Sequence, residues 1–253
     1  MKSALYGLVL AFQFLTRLPL PLACPWNAAT RRWALRAYPL VGLGIGALLA
    51  LAAWGLGQLA LPTPLVALAL LSLWVALSGG LHLDGVMDLA DALGSNQPLE
   101  RRLEIMKDPQ VGSFGLLALV FLLAWKGALL WAFVEYHVPL AWLLALPAIA
   151  RCMGGAFLVL GPCLRPSGMA YNARRSVGTR DVALSLVPVL AAALFTPALA
   201  LWLLVAALFT ALYRVAVLRA FKGINGDMVG ALIEGGELWL LLTMWSFWWF
   251  ATA

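Results

Sequence analysis

Apolar runs long enough to cross a bilayer recur along this chain, and they limit its fold more than any other feature. A hydrocarbon core of about 30 Å needs roughly 20 apolar residues per helix. With 64% hydrophobic and only 11% charged residues, the chain lacks the polar balance of a soluble domain. We therefore predict an all-α integral membrane protein that forms a single polytopic domain over residues 1–253.

Seven candidate transmembrane helices can be placed on these runs. They cover residues 37–60, 64–80, 114–134, 140–161, 182–196, 198–218 and 230–251. The fifth is short, and Pro188 and Pro197 lie within it or at its limit. Ahead of the first, the apolar stretch 4–15 is only about a dozen residues long, so we expect a short interfacial or re-entrant helix there. The prediction is a bundle of about seven transmembrane helices plus this N-terminal helix.

Basic residues occur in alternate connections between the predicted spans. Three arginines in 31–36 precede the first span, and further Lys and Arg lie in 81–113, 162–181 and 219–227. The intervening connections carry none. This alternation is typical of a chain whose basic connections are cytoplasmic. The net charge of +6 then reflects topology, and we expect no nucleic-acid partner.

The stretch 79–94, GGLHLDGVMDLADALG, places three carboxylates in apolar surroundings. On a helix, Asp84, Asp88 and Asp91 fall within roughly 60° of one another. Two such charges about 5 Å apart repel by roughly 3 kcal/mol at an effective dielectric of about 20, so the group is partly protonated or holds a cation. Proteins usually hold Mg²⁺ with one or two carboxylates and substrate phosphates. We predict these three residues as metal ligands for Mg²⁺.

A further acidic group, in residues 100–108, is a candidate for function. Asp108 precedes Pro109 in a constrained loop that returns to the membrane, whereas Glu100 and Glu104 are typical of a solvated helix face with ion pairs.

A second acidic group begins the last span. Asp227, Glu234 and Glu237 share a helix face, and an ionised side chain inside a span costs at least about 2.5–3.5 kcal/mol, so partners are expected. The alternatives are a functional role or structural pairing with Arg214 or Arg151.

Lys126 and Arg151 lie well inside spans and are expected to face the bundle interior, where they neutralise acids or bind phosphate. His82, two residues before Asp84, is a weaker candidate as a metal ligand or base. The glycine runs at 42–46 and 154–155 favour close helix packing over phosphate binding.

Five motifs follow one another along the chain. They are FLTRLPLP at 14–21, YPLVGLGIGAL at 38–48, GGLHLDGVMDLAD at 79–91, EIMKDPQVGSFG at 104–115 and NGDMVGALIEGGEL at 225–238. Together they resemble the cobalamin synthase family, the adenosylcobinamide-GDP ribazoletransferases, over most of the chain. The aspartate block also resembles the metal signature of CDP-alcohol phosphotransferases.

The resemblance implies a Mg²⁺-dependent enzyme of the bacterial inner membrane, with its active site facing the cytoplasm. Its small-molecule substrates would be adenosylcobinamide-GDP and α-ribazole or its 5′-phosphate, joined with release of GMP. Its other partner would be the lipid bilayer, and a homo-oligomer remains open. The resemblance assigns catalysis to Asp91, Asp108 and Arg151, and metal binding to Asp84, Asp88 and Asp91. The resemblance and the residue chemistry together predict substrate binding by His82, Lys126, Arg165, Asp227, Glu234 and Glu237.

Three positions depart from the family pattern. Ala92, Pro109 and Met228 stand where the family usually has Gly, Ser and Thr. No departure removes a carboxylate, so we expect the activity to be intact.

The chemistry that fits both resemblances is displacement at phosphorus. A ribose hydroxyl of α-ribazole attacks, Asp91 takes its proton, the metal stabilises departing GMP, and Arg151 with Arg165 holds phosphate. Two alternatives remain: a CDP-alcohol phosphotransferase with another acceptor, and a cation- or proton-coupled transporter. Transport predicts charge near the bilayer midplane, whereas most acids here map to one membrane boundary.

Overall fold

The computed structural model describes residues 2–164 and 168–252. Their helices are α1 Lys2–Leu15, α2 Ala28–Gly57, α3 Thr63–Ser78, α4 Leu81–Gly94, α5 Leu99–Ile105, α6 Ser113–Glu135, α7 Leu140–Leu160, α8 Met169–Arg174, α9 Thr179–Phe195, α10 Pro197–Phe221 and α11 Gly226–Thr252. Within these two ranges, the β-structure is limited to an isolated bridge between Cys163 and Ile224. The predicted all-α fold is confirmed.

Each predicted span coincides with a helix, but a count of seven membrane crossings is not confirmed. Five helices (α2, α6, α7, α10 and α11) are long and apolar enough to cross a bilayer, and a sixth crossing results if α3 and α4 together form one. Helix α9 has only 17 residues, about 26 Å at the helical rise of 1.5 Å per residue. Helix α1, at 14 residues, is shorter still, as expected for the N-terminal stretch.

The chain turns sharply between α3 and α4. Gly79 and Gly80 have φ angles of 62° and 70°, in the left-handed region that glycine adopts without strain. A side chain at Gly79 would also overlap Arg17. As a result α4 runs at 89° to α3. Helix α4 therefore crosses one end of the bundle, beside the starts of α6 and α11, and carries its three aspartates there.

Helices α7 and α11 form the centre of the bundle. Buried residues make up 78% of the apolar stretch of α7 and 61% of that of α11, against 28% or less for α2, α6 and α10. Helix α2 approaches α7 so closely that a Cβ atom at Gly42 or Gly46 would overlap the backbone of Ala148 or Leu144. These contacts confirm the packing role predicted for the glycine run.

The connections rich in Lys and Arg meet at one end of the bundle. Arg36 near the start of α2 forms a 2.6 Å ion pair with Asp181 at the start of α9. The amide of Leu164, after α7, donates a 3.0 Å hydrogen bond to the carbonyl of Ile224, before α11. This end, which also carries α4, is called the site end below.

Candidate active site

The site begins where α4 crosses α11. A Cβ atom at Gly85 would overlap the backbone carbonyl of Asp227, and one at Gly230 would lie 3.1 Å from the Cα atom of His82. Two glycines, one on each helix, therefore allow close backbone contact. This crossing brings Asp227 next to the aspartates of α4, although it follows them by more than a hundred positions.

The carboxylates at this crossing repel one another. The charges of Asp84, Asp227 and Asp91 all lie close enough to Asp88 to repel its carboxylate. In the described part of the chain, neither Asp84 nor Asp88 has a hydrogen-bond or ion-pair partner for its side chain, whereas Asp227 accepts a 2.7 Å hydrogen bond from Asn225. A group of this kind favours binding of a cation.

The donor chemistry fits Mg²⁺, which prefers oxygen ligands. Across residues 2–164 and 168–252, no three His, Cys, Asp or Glu side chains are arranged to hold a metal ion by themselves. Magnesium commonly completes such a coordination shell with water and substrate phosphate.

Asp91 has a different environment from Asp84 and Asp88. Its two carboxylate oxygens accept hydrogen bonds of 2.8 Å each from the backbone amides of Gly112 and Gly115, at the start of α6. A Cβ atom at either glycine would overlap this carboxylate. Since Gly112 offers no side-chain cap of its own, Asp91 caps α6 from the neighbouring helix. The predicted roles of Asp91 as metal ligand and base remain predictions.

Asp108 lies at the site end, in the exposed loop between α5 and α6. Its Oδ1 atom accepts a 3.0 Å hydrogen bond from the amide of Gln110, which closes a turn around Pro109. Nearby, Arg101 and Glu104 form a 2.7 Å surface ion pair on α5, as predicted for a solvated helix face.

A second charged group lies inside the bundle. Lys126 Nζ lies 2.5 Å from a carboxylate oxygen of Glu234 and 2.5 Å from one of Glu237, and Arg151 also pairs with Glu237. The Trp74 indole donates a 3.3 Å hydrogen bond to Glu237, and its ring faces Lys126 Nζ at 4.7 Å. Two positive and two negative charges thus balance one another, as is typical of ionisable groups within a membrane.

This buried network shows which of two arginines, Arg151 or Arg214, pairs with the acids of α11. Lys126 and Arg151 face the bundle interior, as predicted, and Glu237 pairs with Arg151. Arg214 instead donates a 3.3 Å hydrogen bond to the carbonyl of Leu160. Because each network side chain is at most 3% exposed, none of the four reaches the surface in this structure. Their predicted contacts with substrate remain predictions.

His82 is buried in the first turn of α4 and packs against Gly230 of α11. Arg165, predicted to bind substrate, lies outside the described residues.

A cavity of about 170 Å³ opens beside Asp227, at the meeting point of the connections around α5, α8 and α11. Sequence reasoning did not single out Met106 or Tyr171, which line it, because no motif marks them. A larger cavity of about 570 Å³ between α7, α9 and α10 is mainly apolar and lies away from the carboxylates.

Comparison with known proteins assigns the family. The family model for cobalamin-5-phosphate synthase matches residues 7–245. The chain belongs to this family. The adenosylcobinamide-GDP ribazoletransferase of Halalkalibacterium halodurans is 39% identical to this chain over 262 residues, with 100% of both chains covered. The enzyme of the same name from Geobacillus kaustophilus is 38% identical, with 97% of each chain covered. That of Pseudomonas putida is 42% identical over 92% of this chain and 96% of its own. No solved structure matches the chain.

Proposed function

We propose that this cobalamin synthase family member joins adenosylcobinamide-GDP to α-ribazole or its 5′-phosphate, forming adenosylcobalamin or its 5′-phosphate and GMP. The observation that carries this proposal is the group of carboxylates at the α4–α11 crossing, in a chain matched over nearly its full length by transferases of that name. A transfer that breaks a diphosphate needs such a group, because negative charge builds on the departing GMP.

We propose that Asp84 and Asp88, with Asp227 from α11, hold Mg²⁺ against the diphosphate of the corrinoid substrate. The bound ion would act as a Lewis acid on the phosphoryl oxygens. Asp84 is exposed, and Asp88 and Asp227 are half-buried, so all three are open to a substrate at the site end. The close contact at Gly85 sets the spacing between the two helices and thus between these carboxylates.

The chain's own residues would orient the reactants and accept a proton. An attacking ribose hydroxyl of α-ribazole would lose its proton to a carboxylate of the site as the bond to phosphorus forms. Asp91 already accepts two amide hydrogen bonds, so both of its carboxylate oxygens are engaged at the start of α6. We therefore propose that its main task is to hold the start of α6, and with it the loop that carries Asp108, against α4.

The proposed place of this reaction is the cytoplasmic face of the bacterial inner membrane. The support is the gathering of the basic connections at the site end, since such connections are retained in the cytoplasm. The charged network of α6, α7 and α11 offers no support for the transporter alternative, because its charges are paired and sealed from the surface.

The deciding experiment is GMP release by the purified protein in lipid vesicles. With adenosylcobinamide-GDP, α-ribazole and Mg²⁺, we expect GMP and a new corrinoid product in equal amounts, separated by chromatography. Omission of α-ribazole should abolish product formation. A folded protein that forms no product with either form of α-ribazole would refute the proposal.

A further inference from the structure

The cavity beside Asp227 has the size of a single ring system. At about 170 Å³ it is well below the roughly 300–1,000 Å³ of pockets that enclose a whole drug-sized ligand. A complete nucleotide does not fit, but one planar base does. The ribose and phosphate of such a ligand would lie outside, toward the carboxylates.

The walls of the cavity are mixed in character, and their apolar side includes one aromatic ring. Met106 and Ile224 are buried, and Tyr171 and Leu164 are half-buried around the same space. A thioether and an aromatic ring both pack well against the face of a planar base. The apolar side of the cavity is therefore suited to the face of an aromatic ligand.

One wall is held in place by main-chain hydrogen bonds. The amide of Ile224 donates to the carbonyl of Pro162 at 2.8 Å, and the amide of Leu164 donates to the carbonyl of Ile224 at 3.0 Å. This bridge joins the connections that follow α7 and α10. Because the wall is preformed, a ligand does not have to order it on binding.

The side chain of Asn225, next to Asp227, already makes two hydrogen bonds. Asn225 donates a 2.7 Å hydrogen bond to Asp227 and accepts one of 3.0 Å from the amide of Met228. It therefore orients Asp227 rather than reading the edge of a base. A benzimidazole base has few hydrogen-bonding atoms, so it needs no hydrogen bond from this side chain.

We propose that this cavity binds the benzimidazole base of the acceptor nucleoside, with the ribose directed toward Asp227. The inference rests on the proposed function, because it assigns one of the two substrates to a place beside the carboxylates. Lys107 lies exposed at the rim and would attract the 5′-phosphate of the phosphorylated acceptor.

Reducing the cavity tests the proposal. Leu103 lines it from α5, and Leu103→Trp adds volume there, whereas Leu61→Trp makes the same change in the exposed connection at the opposite end. Equilibrium dialysis of the full-length protein with α-ribazole and, separately, with GMP gives binding without turnover. We expect Leu103→Trp to weaken α-ribazole binding at least tenfold, with GMP binding within twofold and Leu61→Trp unchanged.

A second variant keeps the test valid if Leu103→Trp does not fold. Tyr171→Ala removes a wall from the short helix α8 and should also weaken α-ribazole binding. Unchanged α-ribazole binding in a folded variant, or weaker binding of GMP alone, overturns the inference. Wild-type protein that binds α-ribazole through this cavity but releases no GMP with both substrates would refute the proposed function and leave the cavity assignment standing.

Discussion

Asp91 on α4 accepts a 2.8 Å hydrogen bond from the backbone amide of Gly112, the residue that precedes the first turn of α6. The same carboxylate reaches Gly115, so one side chain satisfies two of the unpaired amides at this helix start. The negative charge also lies at the positive end of the helix dipole. Of the three aspartates in line on α4, this one therefore joins α4 to a membrane-spanning helix.

Removal of this cap is expected to loosen the start of α6. Asp91→Ala leaves both amides without their partner and should lower the free energy of unfolding by about 1–2 kcal/mol. Chemical denaturation in detergent, followed by helical circular dichroism, measures the change. Gly112→Ala should produce a similar defect, because its Cβ atom would overlap the Asp91 carboxylate.

A metal titration separates the roles of the aspartates. In Asp91→Asn, the Mg²⁺ concentration needed for half-maximal GMP release should stay within about threefold of wild type, even if the maximal rate falls. A tenfold increase in that concentration would show instead that Asp91 is a metal ligand.

Chelation of the metal is expected to stop the reaction. Excess EDTA should abolish GMP release, and added Mg²⁺ should restore it, because the proposed ion neutralises charge on the departing GMP. Asp84→Asn and Asp88→Asn should each raise the Mg²⁺ requirement at least tenfold. Glu100→Gln, an exposed acid on α5, is the matched control and should behave as wild type. Full activity in EDTA would contradict the proposed site.

The buried network predicts a strong dependence of stability on charge balance. Lys126→Met removes the one ion-pair partner that Glu234 has among residues 2–164 and 168–252, and breaking such a pair costs about 3–5 kcal/mol. We expect the melting temperature in detergent to fall by at least about 5 °C. Lys222→Met, an exposed lysine, should cause no comparable change.

The double variant Lys126→Met with Glu234→Gln sharpens this test. It removes one charge of each sign and leaves Arg151 paired with Glu237. Part of the lost stability should therefore return. If the double variant is less stable than Lys126→Met alone, the charge balance is not what holds these helices together.

The helices and the alignment of the three aspartates on α4 were predicted well from the sequence, because both depend on local spacing. Apolar length alone marks α6 and α7, and a period of 3.6 residues aligns Asp84 with Asp88. The sharp turn after α3 could not be anticipated in the same way, because it depends on left-handed backbone at two glycines. The apolar run at 64–80 correctly predicted a helix, α3, but could not show that the chain turns by 89° directly after it.

Long-range partners were beyond the reach of a single sequence. Lys126 and Glu234 are 108 positions apart, and only the packing of α6 on α11 brings them together. Insertion cost correctly indicated that Glu234 and Glu237 need partners, and Arg151 was one of two candidates. The cap formed by Asp91 was hidden for the same reason, since Gly112 and Gly115 look like ordinary loop residues in sequence.

The glycine after Asp84 is predicted to be essential for catalysis. In Gly85→Ala the added methyl group would overlap the carbonyl of Asp227 and move α4 away from α11. A displacement of about 1 Å can cost about 100-fold in rate, so we expect kcat to fall by about that factor. Gly55→Ala, where nothing lies within 4 Å of the new atom, is the matched control. An active Gly85→Ala variant would show that this spacing is not required.

The orientation of the site end can be tested by cysteine labelling. Gln110 is exposed beside Asp108 at the site end, and Gln58 is exposed after α2 at the other end. In a chain with Cys24 and Cys163 replaced by Ser, a membrane-impermeant maleimide added to intact spheroplasts should label Gln58→Cys but not Gln110→Cys. Inverted vesicles should give the opposite pattern. Because both probes are exposed glutamines outside the carboxylate site, a difference between them reports the side of the membrane. Labelling of Gln110→Cys in intact spheroplasts would place the carboxylates outside the cytoplasm. That result would contradict the proposed orientation, in which the basic connections remain in the cytoplasm.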